Sequence, residues 1–259
     1  MMIDSGAEAE QRSIRIGARI EHPQRLIDMA QYGSERGELP AASYRLVSRP
    51  SKNSGKRGAH TFCMCPGGFI VPAATNKGEI VVNGMSPSKR NSFFSNSGIV
   101  VEIKEKDLHK YEKYGNLKGL KYQIELEKTM CKSKPDLQIA PAQKMLDFMN
   151  KKTSNSLNKT SYQPGVISEP LHEILPQNIA ESLSESFKIF GKKMKGYLTN
   201  EANIIGLESR TSSPLSIPRD NLTLQHIKIK NFFPCGEGAG YAGGIVSAAI
   251  DGKKVAEKV

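Results

Sequence analysis

Glu237 is the carboxylate whose surroundings point most directly to chemistry. It stands in a run where Gly236, Gly238, Gly240, Gly243 and Gly244 place five glycines within nine residues. Glycine near a helix start costs roughly 1 kcal/mol per residue relative to alanine, so such a run is spent where the backbone must approach something closely. The first amides of a helix are unpaired and carry partial positive charge, which suits an anion or an electron-rich oxygen held by Gly243, Gly244 and Ile245. The carboxylate of Glu237 adds an acceptor for sugar-like hydroxyls. The plain alternative is a glycine turn that lets a helix pack tightly on a sheet.

Three further groups carry reactive side chains. Arg19, Glu21 and His22 sit together before Pro23, either as a local ion pair with a histidine at a helix start or as a substrate-facing site. Arg210 lies in the polar loop 208–213 (ESRTSS), where it either pairs with Glu208 or binds an anionic substrate or phosphate. Cys63 and Cys65 are separated by one residue, not two, which does not support a thioredoxin-like dithiol or a zinc knuckle. In a strand both would point to one face, and they read as buried thiols. His226 reads as a strand-surface histidine. No metal site, nucleophile–base set or carboxylate pair stands at a defensible spacing.

The elements that must position these residues follow from periodicity. Residues 12–20 alternate polar and apolar and predict a strand; Pro23 then opens a helix over 24–31 that Gly33 stops. Short strands are expected at 43–47, 60–64, 69–72, 79–82 and 98–103, with turns at 50–58, 66–68 and 87–90. Helices are expected at 118–132, 140–152 and about 175–193, with Leu120, Ile124, Met145 and Phe148 in core stripes. Strands at 202–207, 222–226 and 229–233 lead to a terminal helix over 240–258, with Ile245, Val246, Ala249 and Ile250 at helical spacing. The expected layout is an unmatched, disordered start (1–13), a β-rich lobe (14–104), a helical substrate lobe (105–200) and a return to the first lobe (201–259). The class is α/β, or α+β if the chain is a fragment.

Residues 238–243 formally satisfy the GxGxxG fingerprint of a dinucleotide fold. That fingerprint needs a second parallel strand within a βαβ unit of ~30 residues and an acidic residue ~20 positions on, which the residues up to Val259 do not supply.

Residues 234–252 (PCGEGAGYAGGIVSAAIDG) instead resemble the C-terminal flavin-contacting motif of FAD-dependent oxidoreductases. More narrowly they resemble a mostly bacterial, largely uncharacterised family of FAD-dependent dehydrogenases. Three more blocks fit in order: 17–24 (GARIEHPQ), 63–71 (CMCPGGFIV) followed by 83–86 (NGMS), and 207–214 (LESRTSSP). The resemblance implies an α/β fold of FAD/NAD(P)-binding type and FAD as cofactor, with NAD(P)H an open co-substrate. It implies that Gly236, Glu237, Gly238, Gly240, Gly243, Gly244 and Ile245 contact the flavin end, and that Arg19, Glu21, His22 and Arg210 face an unknown small-molecule substrate. Only Gly6 and Gly17 occur in the first twenty residues, so the fingerprint that seats the ADP pyrophosphate is absent there. The chain then corresponds to the C-terminal portion of a longer protein or to one half of a split one. The alternative is a non-catalytic fragment, a basic interaction module that does not bind FAD alone.

The 259 residues carry a formal net charge of +11, which favours anionic partners in general. No arginine-rich run, aromatic-interleaved basic patch or zinc-finger spacing makes this a nucleic-acid motif. No apolar stretch approaches a membrane span, and the start lacks a signal-peptide core. Four cysteines without a framework spacing predict reduced thiols and a cytoplasmic setting.

Overall fold

The computed structural model describes residues 6–49, 57–131 and 137–259; most of the turn expected at 50–58 and the first part of the expected disordered start lie outside them. In chain order the described elements are β1 (Glu10–Gln11), β2 (Arg15–Pro23), α1 (Gln24–Tyr32), β3 (Ala59–Cys65), β4 (Phe69–Pro72), β5 (Val82–Met85) and β6 (Phe94–Glu102). A 3-10 stretch (Glu105–Leu117) and α2 (Lys118–Thr129) follow, then β7 (Ala140–Lys144), α3 (Met145–Met149), β8 (Val166–Ser168), α4 (Leu171–Ile174) and α5 (Gln177–Lys193). β9 (Asn203–Glu208), β10 (Leu215–Ser216) and α6 (Ile245–Ala256) complete the order. The class is mixed α/β. Two compact units are present, one of Met1–Arg15, Ile103–Glu125 and Arg210–Val259, the other of Ile16–Glu102 and Leu126–Ser209. No described helix is long and apolar enough to cross a membrane.

The larger unit is organised around a six-stranded sheet in the order β3-β6-β2-β9-β7-β8, in which β7 and β8 pair parallel while β3–β6, β2–β9 and β7–β9 pair antiparallel. β2 lies inside this sheet and buries Ile16, Ala18 and Ile20 completely. Gly17 is a glycine because a Cβ there would stand 1.9 Å from the Ile99 carbonyl oxygen of β6. From α5, Leu183, Phe187 and Phe190 are buried at helical spacing, and both phenylalanine rings pack on Tyr197. Each such side chain contributes about 1.5–3 kcal/mol by leaving water.

Residues 140–152 form β7 and the short α3, not one helix. Pairing of Ala142 with Ile205 and Ser168 takes residues 140–144 into the sheet, while Met145, Phe148 and Met149 keep their helical spacing in the short α3. Residues 105–200 thus contribute β7 and β8 to the sheet along with helices α2 to α5.

In the smaller unit β1 pairs antiparallel with β10, Glu10 opposite Ser216. Leu108, Tyr111 and Tyr122 are buried together, the two tyrosine rings meeting edge-on at 5.5 Å. The strands expected at 222–226 and 229–233 are turns, bends and irregular chain, with a single isolated β-bridge between Arg219 and His226. Asp220 Oδ1 accepts the amides of Leu222 and Thr223 at 3.0 and 2.7 Å, and Leu224 and Asn231 take left-handed φ values of 59°. A side chain that caps its own backbone this way competes directly with strand pairing. His226, expected on a strand surface, is buried, with Nδ1 accepting the Lys228 and Ile229 amides at 3.1 Å.

Candidate functional site

Three of the sequence blocks singled out above (17–24, 63–71 with 83–86, and 207–214) contribute to one feature of the larger unit, the fully buried guanidinium of Arg19. From β2, its Nε donates to Glu208 Oε2 at 2.8 Å, Nη1 to Asn96 Oδ1 at 3.0 Å and Nη2 to the Cys63 carbonyl oxygen at 3.0 Å. Glu208 comes from the end of β9, Asn96 from β6, and Cys63 from β3. The NGMS block supplies the space: a Cβ on Gly84 would stand 1.9 Å from Arg19 Nη1 and 2.4 Å from Asn96 Oδ1. Gly98 is similarly placed, its Cβ position 3.1 Å from the Glu208 side chain.

Gly84→Ala is therefore expected to cost about 1–3 kcal/mol by overpacking the guanidinium. Urea denaturation measures this, and an unchanged midpoint would mean that Arg19 is not seated against the Gly84 backbone.

Burial, opposed by Arg19 and reinforced by charge on Cys63, pushes the Glu208 carboxyl up to about 7. Glu208 Oε1 and Asn96 Nδ2 are buried and have no hydrogen-bond partner among the described residues. Unpartnered buried polar atoms are uncommon in native proteins. A carboxyl that titrates near neutrality, with a guanidinium on one oxygen and the other oxygen free, is suited to moving a proton.

Arg19 and Glu21 point to one face of β2 and His22 to the other, so the expected trio is divided by the two-residue period of a strand. Glu21 is buried and accepts the amide of Ser161 at 3.2 Å and the Ser161 hydroxyl; burial raises its pKa against those bonds. His22 is completely buried, its ring 4.9 Å from that of Tyr197, and its Nε2 donates to the Tyr197 carbonyl oxygen at 2.8 Å. Burial holds His22 down at about 4, so the ring is neutral. Arg210 is half-buried and begins the last segment of the smaller unit. Glu208, its expected partner in the plain reading, has Arg19 as an ion-pair partner.

In the smaller unit α6 starts at Ile245, five residues after the expected start, so Gly240 to Gly244 are loop and Gly244 is the N-cap, with no side-chain cap. Ile245, Val246 and Ile250, noted for their helical spacing, are 90%, 71% and 51% exposed. The glycine turn is instead held from behind by residues that periodicity did not single out. Arg219 pairs in two bonds with Asp251 of α6, Nη2–Oδ1 at 2.6 Å and Nη1–Oδ2 at 3.0 Å, and also donates to the Pro234 carbonyl oxygen. Asp251 accepts the Gly236 amide at 2.8 Å, and the Arg219 guanidinium lies 3.7 Å over the Tyr241 ring. The available signal was an arginine and an aspartate flanking a glycine run, too generic a pattern to find by spacing.

The flavin end of FAD needs a surface without projecting side chains and an acceptor for polyol hydroxyls. Gly236 and Gly240 are fixed as glycine by φ values of 71° and 87°. Gly238 and Gly243 are not: each has open space where a Cβ would stand, and neither is left-handed. Gly244 meets only Ser247 Oγ at 3.8 Å. Glu237 is exposed beside them, and no described residue bonds its carboxylate. Arg12, Ser212, Ser213, Gly240, Tyr241 and Gly243 line a cavity of about 270 Å³, just below the usual ~300–1,000 Å³ of small-molecule pockets. These residues fit part of a flavin nucleotide. Among the described residues no His, Cys, Asp and Glu group could hold a metal ion.

Comparison with known proteins bears on both sites. An uncharacterized protein of Clostridium beijerinckii is 40% identical over 263 residues, an alignment that takes in 100% of this chain and 48% of the relative. The chain thus spans about half the length of the curated relative it matches. Residues 13–211 match the model of the FAD-dependent protein, C-terminal domain-like family, a stretch that contains the Arg19 cluster and stops before the glycine turn. On that match, the chain belongs to the FAD-dependent protein C-terminal domain family.

Proposed function

We propose that this chain supplies the flavin-end and substrate-side portion of an FAD-dependent oxidoreductase whose dinucleotide-binding portion is separate from these 259 residues. The observation that carries the reading is the open glycine turn at Gly238, Gly243 and Gly244, where none of the described residues demands glycine, in a member of an FAD-dependent family. When bound, FAD supplies hydride transfer at its N5. Glu237 accepts a ribitol hydroxyl. The amides of Gly243, Gly244 and Ile245 face the electron-rich edge of the ring, and Gly236, Gly238 and Gly240 shape the approach. In the smaller unit Arg210 binds an anionic group; in the larger unit the Arg19–Glu208 pair handles a proton, Glu21 orders the Ser161 loop, and His22 positions β2 against Tyr197. The exposed apolar residues of α6 dock on the separate portion, in keeping with the half of the relative that this chain does not span.

The test mixes or co-expresses the chain with the remainder of the Clostridium beijerinckii relative and follows bound flavin by absorbance. The mixture is expected to retain FAD, and the isolated chain to bind it more weakly than micromolar. Glu237→Ala is expected to weaken FAD binding in the mixture by about 1.5–3 kcal/mol, roughly 10- to 150-fold, with folding stability unchanged. Unchanged affinity would remove the ribitol assignment, and sub-micromolar binding by the isolated chain would remove the division of the site. NAD(P)H oxidation by the flavin-loaded mixture identifies the electron donor.

A further inference from the structure

We infer that Cys63 and Cys65 form a redox-active dithiol that exchanges with small, solvent-borne disulfides, Cys63 attacking and Cys65 resolving. This inference stands on residues of the larger unit alone and does not depend on the flavin reading. Its basis is a β-bulge. Phe62 pairs with Gly98 and Cys65 with Asn96, so β3 advances three residues while β6 advances two. The extra residue falls at Cys63 and Met64, and Cys63 takes a left-handed φ of 45°. A non-glycine residue is strained in that region, and such positions cluster at functional sites.

The bulge gives the two thiols different surroundings. Cys63 is exposed, whereas Cys65 is 5% exposed. Their sulfurs are nonetheless 3.9 Å apart, and Cys65 Sγ donates to the Cys63 carbonyl oxygen at 3.3 Å. That same carbonyl oxygen accepts from Arg19, which fixes the bulge from the buried side. The Cys65 thiol as hydrogen-bond partner, aided by the positive charge of Arg19 and opposed by burial, brings Cys63 down to about 6, and the same partnership with burial raises Cys65. An accessible thiolate beside a protonated thiol is the arrangement that disulfide exchange requires.

The chemistry balances without a further reactant. The Cys63 thiolate attacks a disulfide RSSR, forming Cys63–S–SR and releasing RS⁻. Cys65–SH then attacks the Cys63 sulfur, forming the Cys63–Cys65 disulfide and releasing RSH, its own proton leaving with that thiol. The two protein sulfurs are oxidised by two electrons and RSSR is reduced to two thiols.

The experiment uses the reduced full chain carrying Cys131→Ser and Cys235→Ser, treated with bis(nitrobenzoate) disulfide in the absence of FAD. About two equivalents of nitrothiolate per chain are expected, with no label retained and two hydrogens lost by mass spectrometry. Cys65→Ser is expected to release about one equivalent and keep the label on Cys63. Cys63→Ser is expected to react at least tenfold more slowly, and the Cys63 rate is expected to reach half its maximum near pH 6 rather than the ordinary ~8.5. Label retained on the chain with both cysteines present would overturn the resolving role. Equal rates for Cys63→Ser and the parent would overturn the attacking role. Both readouts are unaffected by whether the chain binds flavin.

Discussion

Arg19→Met is expected to cost about 3–5 kcal/mol of folding stability, and to cost more at about pH 8 than at about pH 5. Methionine replaces the aliphatic stem but none of the donors that hold Glu208, Asn96 and the Cys63 carbonyl. What remains is a completely buried carboxylate without its counter-charge, and breaking a buried pair from one side costs about 3–5 kcal/mol. The pH dependence follows from Glu208, whose pKa is raised from 4.5 to about 7 in the folded chain. Between those values the native state holds a proton that the unfolded state has lost. Its contribution is fully present below 4.5 and is lost as pH rises through 7, about 3 kcal/mol in all. Without Arg19 the carboxyl moves higher still and the loss extends further toward alkali.

His22 has the opposite sign. Lowered from 6.5 to about 4, it contributes stability above 6.5 that is lost as pH falls through 4. In the wild type the His22 slope is offset by those of the carboxyls raised by burial, Glu208 and Glu21, and Glu208→Gln is expected to leave the His22 slope opposed by Glu21 only. Urea denaturation at the two pH values, with Arg19→Met, Glu208→Gln and the double variant, measures each contribution. A penalty for Arg19→Met that is no larger at pH 8 would mean Glu208 is not the charge Arg19 compensates. The double variant is expected to recover most of the loss, since it removes the stranded charge.

Asp251→Ala is expected to cost about 3 kcal/mol and to abolish the order of the glycine turn with it. The Arg219 and Asp251 side chains are 9% and 11% exposed, so their pairing is largely shielded from water. Arg219 holds the Asp251 carboxyl below the usual range, with the Gly236 amide contributing to the same effect. Alanine leaves the guanidinium without its two-bond partner and frees the Gly236 amide at the mouth of the turn. Asp251→Asn keeps one acceptor oxygen, which in place of Oδ2 serves both the Gly236 amide and Arg219 Nη1, but turns an NH2 toward Arg219 Nη2, and is expected to recover about half of the loss. The contrast with Glu237→Ala is the informative part. One substitution lowers stability and flavin binding together, the other flavin binding alone. A loss below about 1 kcal/mol for Asp251→Ala, with proteolysis of residues 234–244 unchanged, would show that the turn is held by something else.

How much of this was legible from the residues can be judged from particular cases. Alternation from Ile14 to Ile20 found β2, Pro23 and Gly33 bracketed α1, and β4 was expected at 69–72, where it stands. These signals are local. The strand–helix confusion at 140–152 arose because long-range pairing of Ala142 decided the outcome. The strands expected near 222 and 229 failed for a local reason, the side chain of Asp220 capping its own backbone. In the site, Arg19 was visible as a polar residue in an apolar strand, and Glu208 as part of a polar loop. Their pairing across 189 positions was not. The two cysteines were expected to share one buried face, and a single inserted residue separated their exposures, because a bulge leaves no periodic trace in so short a strand.

The pairing of β1 with β10 joins residues 206 positions apart. At ~5–20 residues per second of protein synthesis, the first strand must wait roughly 10–40 s before its partner has even been made. Through that interval it is a free edge on a nascent chain, in reach of other nascent chains on the same message. Two residues of strand, Glu10 and Gln11, one charged and both polar, make a poor template for a stranger to pair with. The brevity of β1 keeps the growing chain from committing to the wrong neighbour before Leu215 and Ser216 arrive.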